Sequence, residues 1–443
     1  MQEMISTMVN AASNAVWGPF TIAILFGSGI FLTVRYRFVQ ITRLGDAFRN
    51  FRGGPADAKS GGISPFQAFM TGLAASVGTG NIAGVATAIV AGGPGAVFWI
   101  WAYGFFATVI KLTEAMLAVR FRSKSTEGLA AGPMFYLEQG LGLRWLGLVY
   151  AAVAGIAALT TTPFTQPNSI AVVFESELGV PRWVCGVALA LFTWIVVIGG
   201  AKKVAAASER LAPAMVGLYL AGGLVVIVAF AGQLPAVLTT IFQQAFSLEA
   251  AGGGAVGTAM MVAVRYGLAR GIYANEAGYG TAAVAYGSAA SDRPAVQGLN
   301  AVLEVYIVSF VTSTISALTI LVSGVASSGA TSTTLVAKAF ASVIPGGGFL
   351  VLLCAFLFGY TTLIGWGYYG EQFLAYLTGQ WVVIPYRWIY CALIVPGALT
   401  KVELVWAWGD LMNGLQIFPN LVGVLLLSGL VAKMLRDDQA RTG

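Results

Sequence analysis

Long apolar segments separated by short polar stretches recur along the whole chain, and this pattern predicts eleven membrane-spanning helices. Barrel strands would alternate at a period of two residues, which these segments do not do, so each segment is expected to be a helix. The predicted spans are residues 16–34, 65–91, 94–119, 145–171, 182–200, 211–231, 254–287, 296–325, 348–378, 386–400 and 403–434.

The composition agrees with this pattern. Of the 443 residues, 58% are hydrophobic and 9% are charged, and the mean hydropathy is +0.81. A soluble domain carries about 25% charged residues. The chain is therefore predicted to be an all-α polytopic protein of the plasma (inner) membrane, with little room for a soluble domain.

Two of the predicted spans carry residues that break helices. The second span contains four helix-weakening residues within seven positions (Gly78, Gly80, Asn81 and Gly84), and each glycine costs about 1 kcal/mol relative to alanine. The seventh span contains a second such stretch, residues 271–280. Unwound backbone at membrane depth is tolerated only where protein buries it or where it lines a cavity. Two broken helices in corresponding places of two halves indicate the substrate site of a secondary transporter.

The spacing of the two breaks predicts internal symmetry. The second and seventh spans are five helices apart, and an odd number of helices reverses the direction of the second unit. We therefore expect a five-plus-five inverted repeat, with repeat one over about 65–231, repeat two over about 254–434 and residues 16–34 as an extra helix. The whole chain, 1–443, is expected to form a single transmembrane transporter domain.

The distribution of basic residues predicts the orientation. With the loop 35–64 in the cytoplasm, 18 of the 24 Lys and Arg residues fall on the cytoplasmic side. Only Arg182, Lys338 and Lys401 fall outside. Positive residues favour the cytoplasmic side, so the N-terminus is predicted outside and the C-terminus inside. The net charge of +6 is then a property of the cytoplasmic loops and does not indicate nucleic-acid binding.

The first break offers two half-helix ends of opposite partial charge. The inner half is expected to end near Val77 with free carbonyls, and the outer half to begin near Asn81 with free N–H groups. The carbonyl end suits a small cation and the N–H end suits a carboxylate. Thr79 adds a hydroxyl. The alternative interpretation is a packing kink, since glycine-rich membrane helices are common.

The second break carries Asn275 and Glu276, where the helix is expected to open around Gly271 and Gly278. A charged group in a membrane span usually faces a cavity or a partner. Glu276 is expected either to pair with Arg270 or Arg265 or to contact substrate, and the sequence leaves both roles open. Tyr273 is expected to form a pocket wall.

The fourth span contains two prolines and a run of hydroxyl and amide side chains at 160–169, which cannot face lipid. Gln166 and Asn168 are candidate substrate contacts. For Thr160 and Thr161 we expect hydroxyls bonded to carbonyls of the preceding turn.

The ninth span contains two adjacent hydroxyls, Thr361 and Thr362. Hard cations prefer oxygen ligands, so this pair is expected to complete a sodium shell beside an unwound helix. Trp366, one helical turn further on, is expected to close the pocket. Aromatic packing is the alternative role for it.

Several other charged residues lie within the predicted spans. Lys111 and Glu114 share one helix face and are expected to pair. Glu371 and Asp410 are expected to brace helix ends, while Glu304 or Glu371 as a proton relay is the weaker alternative. The chain has no histidine and its three cysteines are scattered, so no nucleophile–base or metal constellation indicates an enzyme.

These residues resemble those of the alanine/glycine:cation (sodium) symporter family, over nearly the whole chain from about residue 16 to 434. The resemblance depends on a set of motifs in a fixed order. They are residues 78–85, 92–99, 275–278, 365–371 and 419–421.

The resemblance implies the fold of the amino-acid, polyamine and organocation superfamily. It also implies sodium-coupled symport of small neutral amino acids, such as alanine or glycine, by alternating access. Sodium would be the coupling ion, and no obligate protein partner is expected. A proton-coupled transporter of the same fold and an amino-acid channel are the alternatives.

The resemblance further implies roles for particular residues. Thr79, Gly80 and Asn81 would hold the substrate backbone, Gln166 would join them, and Trp366 would line the pocket. The carbonyls of Ala74 and Val77, with the hydroxyls of Thr361 and Thr362, would form the sodium site.

The chain departs from the family pattern near the expected pocket. Residues 162–165 replace a Gly-Asn-rich approach to Gln166, and Tyr279 and Thr281 stand where leucine and serine are commoner. The identity of the amino acid therefore stays open.

Overall fold

The computed structural model describes residues 2–53, 62–125, 128–247 and 258–442. Lys59, in the predicted cytoplasmic loop, and residues 254–257, at the predicted start of the seventh span, lie outside the described residues. The chain is mostly helical, at 85%.

The α-helices follow one another with short connections. They are α1 (Gln2–Val16), α2 (Pro19–Arg35), α3 (Val39–Thr42), α4 (Leu44–Gly53), α5 (Pro65–Ser76), α6 (Ala83–Gly92), α7 (Gly95–Arg120), α8 (Pro133–Phe135), α9 (Arg144–Thr160), α10 (Thr162–Leu178), α11 (Arg182–Val197), α12 (Gly200–Ala229), α13 (Leu234–Ala245), α14 (Thr258–Asn275), α15 (Ala283–Gly287), α16 (Pro294–Val305), α17 (Ser313–Val322), α18 (Ser332–Ala341), α19 (Gly347–Thr378), α20 (Val383–Leu399), α21 (Val402–Leu426) and α22 (Ser428–Thr442).

Shorter elements lie between these helices. The 3₁₀ turns are Thr79–Asn81, Ala231–Gln233, Val325–Ser327 and Gln380–Val382, and the π-helical segments are Tyr136–Gly140 and Tyr306–Thr312. A small antiparallel hairpin, β1 (Ser123–Ser125) and β2 (Gly128–Ala130), departs from the predicted all-α class.

The described part of the chain contains seven helical segments that are long and apolar enough to cross a membrane. Two further pairs of helices pass the same criteria but are bent by 55°: Pro65–Ser76 with Thr79–Gly92, and Leu404–Leu426 with Ser428–Arg441. The chain is therefore a multi-pass integral membrane protein. The count of eleven spans, the inverted repeat and the orientation of the termini remain predictions.

The eleventh predicted span differs from the structure, because the chain bends after α21. The helix α22 that follows is polar, and its Asp438 accepts hydrogen bonds from Arg43 (2.9 Å) and Arg293 (2.7 Å). Arg43 also donates to Asp46 at 2.8 Å, which lowers the pKa of that carboxyl. These ion pairs fix α22 against the junction of α3 and α4 and against the start of α16, which agrees with its bend away from α21.

The core is centred on α7, which packs most extensively against α14 and α16. Among the largest fully buried side chains of the described residues is a charged one, Lys111 on α7. The core helix therefore brings a cation to the place where α5, α14 and α16 meet.

Glu371 lies inside α19 rather than at a helix end, so the prediction that it braces an end is wrong. It forms a two-pronged ion pair with Arg387 of α20, at 2.7 Å and 3.2 Å. The two side chains are 1% and 4% exposed. The pair ties α19 to α20 in the interior.

We expect Arg387→Met to destabilise the protein by about 3–5 kcal/mol, because it leaves the buried Glu371 without its opposite charge. The measurement is thermal unfolding of purified protein in detergent. Combining it with Glu371→Gln removes the unpaired charge and should recover most of the loss. A single variant as stable as the wild type would contradict a structural role for this pair.

Candidate functional site

The first predicted break is confirmed by the structure. Helix α5 ends at Ser76 and α6 begins at Ala83, with the 3₁₀ turn Thr79–Asn81 between them and a bend of 55° across the pair. The N–H of Gly78 would bond to the Ala74 carbonyl in a continued helix, but it donates to Ser76 O at 2.9 Å. The Ala74 carbonyl is thus left without this helical partner.

Glycine at the first break is required by close approach of neighbouring groups. A Cβ atom on Gly78 would lie 2.6 Å from Thr362 Oγ1 and 3.2 Å from Gln166 Oε1. A Cβ atom on Gly80 would lie 2.7 Å from the ring of Tyr273. The unwound segment therefore presents its bare backbone to these side chains.

The second break is also confirmed, but it begins later than expected. Helix α14 continues through Gly271 to Asn275, and α15 starts at Ala283. In between, Glu276 (φ 57°) and Gly278 (φ 98°) are left-handed. Such a conformation is unusual for a residue with a side chain and frequently occurs at functional sites.

Side chains from three other helices satisfy the unwound backbone of the second break. Tyr103 donates to Ala277 O at 2.6 Å, and Tyr150 donates to Tyr279 O at 2.8 Å. The N–H of Gly278 donates to Glu114 at 2.9 Å, and its carbonyl accepts from Asn420 at 2.8 Å. Buried backbone groups need such partners, so these polar residues are structural supports of the break.

Both breaks line one narrow cavity of about 10 Å³, which is about the space that one water molecule needs. The first break contributes Gly78 and Gly80, and the second contributes Glu276 and Tyr279. The remaining lining residues are Ala75, Ser76, Thr162, Gln166, Tyr273, Thr362, Trp366 and Asn413. Most of the residues predicted from the sequence as substrate contacts therefore meet at one place.

Gln166 contacts the first break directly. Its Oε1 accepts hydrogen bonds from the Thr79 backbone N–H at 3.0 Å and from the Thr79 hydroxyl at 2.8 Å. Asn168 lies elsewhere, because its amide donates to Thr400 O at 2.6 Å. Thr160 and Thr161 bond back to the preceding turn, as predicted.

The aromatic walls are held by polar contacts. Tyr273 donates to Thr165 Oγ1 at 2.8 Å, and Trp366 Nε1 donates to Glu276 Oε1 at 2.6 Å. The other carboxylate oxygen of Glu276 accepts from Thr281 at 3.0 Å. Glu276 is 3% exposed, so its carboxylate is a buried charge on the wall of the cavity.

The expected ion pair between Glu276 and an arginine of α14 is wrong. Arg270 faces α21, where it pairs with Asp410 and lies over the ring of Trp406. Arg265 donates to Asn14. Asp410 lies within α21 and joins it to α14, so it does not brace a helix end as expected.

Asn81 lies behind the cavity. The nitrogen of its side-chain amide faces the oxygens of Val308 (3.4 Å), Thr312 (3.3 Å) and Ser313 (3.2 Å), and its backbone carbonyl accepts from Ser316 at 2.5 Å. The side chain thus ties the first break to α17 and the π-helical segment before it. The predicted contact between Asn81 and substrate stays a prediction.

The predicted sodium ligands are only partly brought together. The hydroxyl of Thr362 lies 3.3 Å from the Ala74 carbonyl. The hydroxyl of Thr361 instead faces Phe358 O (3.1 Å) and the sulfur of Met215 (3.3 Å). Adjacent positions on a helix point about 100° apart, which places the two hydroxyls on different faces of α19.

A buried ammonium joins the two breaks. Lys111 Nζ donates to Asn275 O (2.6 Å), to Glu304 Oε1 (2.6 Å) and to Ser76 Oγ (3.0 Å). Ser76 and Asn275 are the last residues of α5 and α14. The glutamate also accepts from Ser76 at 2.6 Å and from Tyr286.

This arrangement corrects the predicted pair of Lys111 with Glu114. The spacing along α7 places both residues on one face, but the free backbone groups of the second break separate them: Asn275 O takes the ammonium and Gly278 N takes the carboxylate. Sequence spacing identified both charges and could not identify partners that lie on other helices.

Comparison with known proteins identifies the family and agrees with the fold. Residues 1–442 match the model of the sodium:alanine symporter family. The chain is 39% identical to the sodium/alanine symporter AgcS of Methanococcus maripaludis, over 96% of this chain and 95% of the relative. It is 36% identical to the probable sodium/glutamine symporter GlnT of Bacillus subtilis, over 99% of this chain and 91% of the relative.

Solved structures are similar in fold at low sequence identity. The structure of MhsT in complex with L-phenylalanine matches with a TM-score of 0.58 and 14% identity, over 86% of this chain and all of that one (100%). A Na⁺-coupled sialic acid symporter matches with a TM-score of 0.53 and 12% identity, over 94% and 86%. With its family match over nearly the full length, the chain belongs to the sodium:alanine symporter family, a family of membrane transporters.

Proposed function

We propose that this protein couples the uptake of a small neutral amino acid, alanine or glycine, to sodium by alternating access. The observation that carries the proposal is the single cavity lined by both broken helices. Broken helices offer backbone groups of both signs to a zwitterion and a cation. The name of the AgcS relative supports sodium and alanine as the pair.

The sodium ion is proposed to bind at the carbonyl end of α5. The Ala74 carbonyl has lost its helical N–H partner there, and the Thr362 hydroxyl lies 3.3 Å from it. Uncharged oxygens at the negative end of a helix suit a hard monovalent cation. The Val77 carbonyl is a further ligand in this proposal. Thr361 joins only if its hydroxyl turns away from Phe358.

The amino acid is proposed to bind with its carboxylate at the N–H groups around Gly80, which open the outer half of the helix. Its ammonium group then faces Glu276, the carboxylate on the opposite wall of the cavity. The rings of Tyr273, Tyr279 and Trp366 close the remaining sides. Three large rings crowd the cavity, which favours alanine or glycine over a bulky residue.

Thr362 couples the two proposed sites. It lines the cavity, its hydroxyl contacts the Ala74 carbonyl, and it lies against Gly78. A cation that orders this hydroxyl also orders the wall that the amino acid contacts. A ligand shifts a conformational equilibrium only by its differential affinity for the two states, so closure of the cavity depends on both ligands.

The first test is uptake of labelled alanine into proteoliposomes under an inward sodium gradient, with potassium or a proton gradient as the comparison. We expect accumulation above equilibrium with sodium alone. Accumulation driven only by a proton gradient would mean that the coupling ion is the proton, and it would favour the proton-coupled alternative. Passive, non-saturating flux would favour a channel.

We expect Gly80→Ala to reduce uptake by about tenfold or more, because the new methyl group displaces the Tyr273 ring and overpacking costs about 1–3 kcal/mol. The matched control is Gly84→Ala at the start of α6, directly after the break, whose Cβ atom would lie 3.5 Å from Arg270, an ordinary contact. Equal uptake by the two variants, at equal expression, would remove Gly80 from the site.

The two adjacent threonines provide a second matched pair. We expect Thr362→Ala to raise the half-saturating sodium concentration about tenfold, since a lost contact to a charged group is worth about 1.5–3 kcal/mol. Thr361→Ala should change it much less, and Thr362→Ser should restore it. A larger effect at Thr361 than at Thr362 would contradict the assignment of ligands.

A further inference from the structure

The oxygens around Lys111 have the composition of a cation site. A backbone carbonyl (Asn275), a carboxylate (Glu304) and a hydroxyl (Ser76) converge on one point, within 2.6–3.0 Å of the ammonium nitrogen. These are the ligand types that hold hard cations in proteins. The ammonium stands where a free ion would stand.

The point where Ser76, Asn275 and Glu304 meet is the junction of the two breaks, and it needs a positive charge. Helices α5 and α14 both end there, and the carbonyl end of a helix carries partial negative charge. Glu304 adds a full negative charge, and both it and Lys111 are 0% exposed. The Asn275 carbonyl also lacks its helical partner, because Tyr279 N–H donates to Glu276 O at 3.1 Å.

We propose that this junction is a monovalent-cation site whose permanent occupant is the Lys111 ammonium, so that transport requires one sodium ion and no second one. This inference rests on the proposed sodium coupling. A tethered ammonium holds the two breaks together in every state and is not released. The sodium at Ala74 and Thr362 is then the single cation that crosses the membrane with each amino acid.

An ordinary structural ion pair would behave differently from a tethered cation when the lysine is replaced. Loss of an ordinary pair lowers stability and leaves the sodium dependence of transport unchanged. Loss of a tethered cation leaves an oxygen site with a negative charge, and dissolved sodium fills it. The sodium dependence of transport therefore separates the two roles. If replacing Lys111 changes this dependence, Lys111 is a positioning residue.

The experiment compares wild type, Lys111→Met and the double variant Lys111→Met/Glu304→Gln. Methionine keeps most of the apolar stem and lacks the terminal ammonium group, while the double variant also lacks the negative charge that attracts an ion. Each protein is purified in saturating sodium and then moved to choline. Melting temperature and alanine uptake are measured against sodium concentration at constant ionic strength.

For the wild type we expect a Hill coefficient for sodium of about one, and for Lys111→Met a rise toward two, since the coefficient is bounded by the number of sites. Lys111→Met should also gain a sodium-dependent rise in melting temperature beyond that of the wild type. The double variant should show the wild-type dependence of uptake and melting temperature on sodium. Lys111→Gln is measured in parallel and should respond as Lys111→Met does, which keeps the test available if the methionine variant does not fold.

The proposal is overturned if neither lysine variant gains sodium dependence, or if the double variant gains as much as the single one. Failure of the underlying function looks different, because the wild type itself would then show no response to sodium in melting or uptake. If the wild type responds to sodium but the sodium dependence of the variants is unchanged, only the proposal of a tethered cation is wrong.

Discussion

The structure depends on hydrogen-bond partners for unwound backbone at a depth where neither water nor lipid can supply them. Two helices stop in the middle of the protein, and one buried ammonium contacts the Ser76 hydroxyl at the end of α5 and the Asn275 carbonyl at the end of α14. Such ends are unfavourable without a positive charge. Lys111 supplies that charge from α7, the helix at the centre of the core, so α7 contacts the ends of both broken helices.

The polar groups around the breaks fall into two kinds with different chemistry. Groups that bind backbone, such as Glu114, Asn420 and Tyr150, have their partners within the protein and fix the unwound chain. Groups on the cavity wall, such as Thr362 and Glu276, also have partners within the protein, but their residues line the cavity. The first kind makes the site rigid, and the second kind makes it available to a ligand. The same unwound backbone requires both.

The sequence predicted the breaks because glycine clusters and intramembrane charges are local signals. It predicted Gln166, Tyr273 and Trp366 at one site for the same reason, with support from a family resemblance. It did not predict the partners of Lys111 or Arg270, since pairing between helices depends on rotation about each helix axis, which spacing along one chain does not contain. Hydropathy also could not show the bend after α21, which depends on ion pairs of Asp438 with residues far away in the chain.

The contact between Trp366 and Glu276 has a consequence for recognition. The indole N–H donates to the same carboxylate that faces the cavity, at 2.6 Å. In the proposed binding mode, an ammonium group at Glu276 competes with the indole N–H for this oxygen. Through the same hydrogen bond, the wall that α19 contributes to the cavity is tied to the unwound segment of the second break.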